Sequence, residues 1–266
     1  MAATDTYSLY NANMGTNARG GITQTGSSGG YTYAVRTSMG DKPVNYVTWF
    51  SAARMANWLH NGATGTSSTE TGAYTLVGGQ TSGTVPARNP GALAYVPTED
   101  EWYEAAYYKG GGTNAGYWHY ATQVTGTAPT ATTSGSTGIG SAGGTGNAAN
   151  YNNDADWNSQ NGNVTTVGTN GGPSAYDLFD MSGNVAEWND LNATASEVRG
   201  LRGGRFSDTS ALSLSRTLRS ETNPSNFSFG IGFRLAAPVP VPEPTTWALG
   251  ASGLAGVAWL AQRQRA

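Results

Sequence analysis

No cysteine occurs among the 266 residues. That excludes a disulfide framework, a thiolate metal site and a cysteine nucleophile. Histidine is nearly absent too, with only His60 and His119, so a histidine-rich metal centre is excluded as well. Charge is scarce: 12 % of residues are Asp, Glu, Lys or Arg, against about 25 % in an ordinary globular protein. The net charge of −3 and the lack of a basic patch argue against a nucleic-acid partner. No signal peptide is expected at Ala2-Ala3-Thr4-Asp5, which provides neither a basic nor an apolar stretch.

What is abundant is glycine and aromatic side chain. Glycine accounts for 38 residues and aromatics for 11 %, including eight tryptophans and fourteen tyrosines. Disordered chains are poor in aromatics. The mixture fits a loop-rich α+β fold in which aromatic side chains pin long coils onto a small core.

The densest stretch runs from Tyr176 to Trp188. Asp180 and Glu187 bracket the turn Ser182-Gly183-Asn184, and Leu178, Phe179, Met181, Val185 and Trp188 anchor it. Two readings stand. The carboxylates and exposed carbonyls form a hard-cation site, since calcium takes several oxygens at once, or they cap N–H groups of a solvated turn. Asn150 to Asp156 is a second oxygen-rich run, readable as a cation loop or as Asx turns.

Two helices are predicted. Thr48 caps the first, and Trp49, Ala52, Ala53, Ala56 and Leu59 recur at the spacing of one buried face. Asn61-Gly62 ends it. The second begins at Thr98, where Glu101 completes a capping box. Glu99 and Asp100 favour the helix dipole, so capping explains these carboxylates better than catalysis. Strands are expected at Tyr31–Val35, Tyr74–Val77, Val198–Phe206 and Phe229–Leu235. Arg219 and Arg234 are expected to pair with core carboxylates. Residues 111–148 are low in complexity, and beyond Tyr117, Trp118 and Tyr120 they are expected to be mobile.

The C-terminal end differs from the body. Pro238 to Pro242 reads as a stiff spacer. Thr245 to Ala261 is seventeen uncharged residues, which as a helix is ~25 Å long and reads as a transmembrane segment. Arg263 and Arg265 form a basic stop on the cytoplasmic side.

The landmarks Pro43-Val44 through Asn57-Trp58, Val96 through Trp102, Asp180 through Trp188, Arg202-Gly203-Gly204 and Gly232-Phe233-Arg234 stand in one order. In that order they resemble the formylglycine-generating enzyme, or sulfatase-modifying-factor, family over roughly residues 40–237. The resemblance implies a modified C-type-lectin-like fold of two helices, short strands and much ordered coil. It implies structural calcium (Ca2+) held by Asp180, Gly183, Val185 and Glu187, with a second site near Asn150 and Tyr151. Active members use two cysteines and copper to oxidise a cysteine in a sulfatase. Counted on from Gly203-Gly204, those positions fall near Asp208 and Ser213. Neither is a soft ligand, so copper chemistry of that kind is excluded.

Pro242-Glu243-Pro244, the apolar segment, Arg263 and Arg265 resemble a PEP-CTERM sorting signal. That resemblance implies processing by an exosortase and a bacterial envelope or secreted destination, with inner-membrane anchoring beforehand. The expected organisation is a domain over 1–237, a spacer over 238–244 and a sorting helix over 245–266. Since family members begin with a strand and helix ahead of residue 40, and no export signal is seen, the N-terminus is expected to be incomplete. The expected function is a non-catalytic envelope binding or scaffold protein, with glycan or another envelope polymer as partner. The alternatives are an enzyme of divergent chemistry in the old pocket and a structural matrix protein.

Overall fold

A computed structural model describes residues 3–110 and 115–238. The elements, in chain order, are α1 (Asn13–Thr16), β1 (Ile22–Thr25), β2 (Thr32–Val35), α2 (Trp49–His60), α3 (Glu99–Tyr107), β3 (Thr130–Ala131), β4 (Ala148–Ala149), β5 (Ala186–Asn189), β6 (Arg199–Arg202), β7 (Ser220–Thr222) and β8 (Ile231–Phe233). The main sheet has the order β7-β6-β5-β8, with β8 parallel to β5 and the other pairs antiparallel. A hairpin β1-β2 and a short parallel pair β3-β4 stand apart from it.

The helices form where the caps place them. Thr48 Oγ1 accepts the Ser51 N–H at 3.0 Å. Thr98 and Glu101 close the capping box in both directions. The apolar face of α2 packs Trp49, Ala52, Ala53 and Ala56 against Tyr74, Val96, Trp188 and Ile231, joining the helix to the main sheet. A second cluster sets Trp102, Ala106 and Tyr107 of α3 against Ala121 and Met181. Burying large aromatics of this kind dominates core energetics.

Several expectations change. Tyr74 to Val77 is not a strand. Asn57 clamps it instead, donating to the Tyr74 carbonyl and accepting the Tyr74 N–H, at 3.0 and 2.7 Å. A buried side chain from α2 thereby takes the hydrogen bonds that a neighbouring strand would have supplied. Residues 115–148 are held in place rather than loose. Thr132 donates its N–H to the Ala149 carbonyl and its hydroxyl to the Asn170 carbonyl, and Tyr151 donates to the Pro129 carbonyl. Polar contacts do here what apolar packing does elsewhere. The domain also begins ahead of residue 40, because α1, β1 and β2 lie in that region.

No helix among the described residues is long and apolar enough to cross a membrane. The expected spanning segment 245–266, and with it Pro242, Glu243, Pro244, Arg263 and Arg265, lies outside the described residues.

Candidate functional site

The turn at 182–184 is built by close backbone contact. Gly183 has φ +83°, and a Cβ there would meet the Asn150 carbonyl oxygen at 2.4 Å, so only glycine fits. Its N–H donates to the Gly203 carbonyl at 2.7 Å, and the Asn184 N–H donates to the Asn150 carbonyl at 2.8 Å. The two oxygen-rich stretches singled out in the sequence are therefore neighbours, joined at Asn150–Gly183.

The two carboxylates of the first stretch already have protein partners. Asp180 accepts from the Gly168 N–H at 2.7 Å and from Asn170 Nδ2 at 2.8 Å. Burial raises its pKa, and these donors together with Arg234 pull the other way. Glu187 accepts two bonds from Arg234, at 2.5 and 2.6 Å, and a third from Trp102 Nε1 at 2.8 Å. Arg234 also donates to the Phe179 carbonyl and lies within electrostatic reach of Asp180. Its guanidinium is thus a built-in cation for the 179–187 loop. The expected pairing of Arg234 with a core carboxylate holds. Arg219 instead pairs with the exposed Glu221 beside it.

The second stretch is different. Asn150 Nδ2 donates to the Asn163 carbonyl, Thr165 Oγ1 and Asn184 Oδ1. Its Oδ1 is buried and has no hydrogen-bond partner, and neither has Asn163 Nδ2. An unpaired buried acceptor is costly. The Tyr151 carbonyl accepts from the Asp154 N–H at 3.4 Å, and its hydroxyl ties down Pro129. Among the described residues no three His, Cys, Asp or Glu side chains converge as a metal cluster.

Asp208 and Ser213 line one pocket of about 480 Å³, together with Leu201, Arg202, Arg205, Leu212, Leu218 and Arg219. That is the size of a small-ligand site. Asp208 accepts from Arg205 Nε at 3.0 Å and from the Arg205 N–H at 3.1 Å. Ser213 Oγ donates to the Ser210 carbonyl at 2.8 Å. Among the described residues Ser213 Oγ has no hydrogen bond to a base, and Asp208 is paired with an arginine. Arg202 is turned away from solvent, bonded to Glu99 and to the carbonyls of Arg216 and Leu218.

Sheet, caps and pocket together define a class: an α+β domain made largely of ordered coil, with a ligand-sized pocket beside its main sheet. The chain belongs to the family of the sulfatase-modifying factor enzyme 1-like domain, whose model matches residues 6–239. A PEP-CTERM protein-sorting motif matches residues 240–264. It marks the chain for recognition by an exosortase and for sorting to the cell envelope or beyond. Among solved structures the chain is similar to CarF, at 21 % identity over 89 % of this chain and 83 % of that one, with a TM-score of 0.49. It is similar to Treponema denticola variable protein 1 at 22 % identity, over 77 % and 74 %, with a TM-score of 0.46. It is similar to PvdO from Pseudomonas aeruginosa at 20 % identity, over 75 % and 63 %, with a TM-score of 0.40. No curated protein matches the chain.

Sequence reasoning missed the Trp102–Glu187 bond and the side-chain network of Asn150, Thr165, Asn170 and Asn184. The available signal was the density of buried-type Asn among Gly and Thr, which by itself reads equally as loop.

Proposed function

We propose that this chain is a sorted envelope protein whose domain binds rather than oxidises. One observation carries the reading. Where counting along the family's pattern places its cysteines, Asp208 and Ser213 line one pocket, and the sequence has no cysteine. A soft copper ion has no ligand there. The test is to incubate the full chain with copper and a cysteine-bearing peptide and to look for a hydrazine-reactive aldehyde. None is expected, and its appearance would overturn the reading.

Structural calcium is part of the proposal. The residues near Asn150 fit it best, because a hard cation accepts the buried Oδ1 as one of its oxygens. Asp180 and Glu187 fit less well, since donors from the protein already occupy both carboxylates. Gly183 and Val185 would add only backbone oxygens there. Anchoring by the C-terminal segment before exosortase processing completes the picture.

A further inference from the structure

A tyrosine surface lies apart from the pocket and shares no lining residue with it. It is assembled from three separate parts of the chain: Tyr103, Glu104 and Tyr108 on and just after α3, Tyr117 in the following coil, and Tyr176 before the 179–187 loop. Tyr117 is 39 % exposed and Tyr176 50 %. The Tyr108 and Tyr176 rings stack with centroids 5.9 Å apart and planes 23° from parallel. Tyr103 contacts Tyr117 at 4.8 Å and the buried Tyr107 at 5.2 Å.

Glu104 lies at the centre. Its Oε2 accepts the Tyr117 hydroxyl at 3.0 Å, and its Oε1 accepts the Tyr176 hydroxyl at 3.2 Å. One carboxylate therefore tethers both exposed rings. Rings held in this way lose little freedom when something settles on them. An ionised carboxylate has roughly four acceptor positions, so both Glu104 oxygens keep capacity for a ligand hydroxyl.

We propose that this surface binds a neutral polysaccharide. The proposal deepens the binding reading above and rests on it, and it names a ligand class and a place. The chemistry narrows the ligand in three ways. Exposed ring faces suit the C–H faces of a sugar, and the carboxylate suits its hydroxyls. A central negative charge disfavours phosphate, nucleic acid and acidic polymers. The basic groups around it are engaged already: Lys109 sits over the Trp118 ring at 4.3 Å, Arg216 donates to the Tyr117 carbonyl, and Arg202, over the Tyr103 ring, is bonded to Glu99.

The test is affinity electrophoresis of the full chain in gels containing mannan, xylan, a β-1,3-glucan or hydroxyethylcellulose, with polygalacturonate as the acidic counterpart. Retardation by at least one neutral polymer is expected. It should weaken tenfold or more in Tyr117→Ala/Tyr176→Ala. That variant alters exposed side chains and should keep its melting temperature, while Tyr176→Phe should retain most of the effect. Arg219→Ala, in the pocket, should bind as the parent does. The proposal is overturned by no retardation in any neutral polymer, by retardation in polygalacturonate alone, or by binding that survives the double substitution. Aldehyde formation would overturn the non-oxidising reading and leave these outcomes separately legible.

Discussion

Glu187 and Asp190 lie three residues apart at the end of β5, and each meets an arginine from another segment. The surroundings make the two pairs behave differently. Glu187 is buried and Arg234 keeps partial access to solvent, with side chains 6 % and 24 % exposed. Their contact is two-pronged, and Trp102 adds a third donor. Burial by itself would lower the Arg234 pKa, but Glu187 outweighs it and holds the value above the ordinary one. Asp190 and Arg199 are both fully buried, with 2.8 Å between Arg199 Nε and Asp190 Oδ1. Here burial prevails on both sides. It pushes Asp190 up to about 7 and lowers Arg199. The same two charges make a clamp where one partner still reaches water and a desolvated core pin where neither does.

The largest effect is expected at the pin. Asp190→Ala leaves Arg199 buried without a counter-charge and should cost about 3–5 kcal/mol, read by urea denaturation at pH 8. The same residue sets a pH dependence. The folded protein holds the Asp190 proton up to about pH 7, whereas the ordinary value is 3.8. The folded state therefore binds more protons across that window, and this contribution to stability falls as pH rises through it. Subtracting the Asp190→Asn profile from the parent's should isolate the slope; identical profiles would remove the contrast between the pairs.

At the clamp, Glu187→Ala loses charge-assisted bonds and should cost about 1.5–3 kcal/mol. The loss should be the same with calcium and with chelator, as measured by melting temperature. A loss confined to calcium would transfer the metal role back to the 180–187 loop. Asn150→Ala should cost about 1–2 kcal/mol and should abolish any rise in melting temperature that calcium gives the parent. The smallest effect belongs to Arg219→Ala. Its pair with Glu221 is 54 % and 39 % exposed and should contribute below about 1 kcal/mol.

Much of the scaffold was legible because its signals are local. Thr48, Thr98 and Glu101 announce both long helices within a few residues, and the α2 face repeats in Trp49, Ala52, Ala53 and Ala56. What was not legible depends on partners far along the chain. Tyr74 reads as strand until Asn57 takes its backbone bonds. Glu187 reads as a free ligand until Trp102 and Arg234 arrive from positions 85 residues before and 47 after it. Residues 115–148 read as loose because no apolar period runs through them, yet Thr132 and Asn147 anchor them by hydrogen bonds. The tyrosine surface leaves no local pattern at all, since Tyr108, Tyr117 and Tyr176 meet only in the folded chain.

The last strand gives the molecule an order of events. β8 runs beside β5, and Ile231 faces Ala186 across that seam, so the main sheet gains its fourth member only once translation has passed residue 233. The sorting motif begins at residue 240, a few codons later. A ribosome that stalls before β8 leaves one edge of β5 bare and open to mispairing, and the same truncated product lacks its address. Completing the body and acquiring the sorting motif are thus nearly one step.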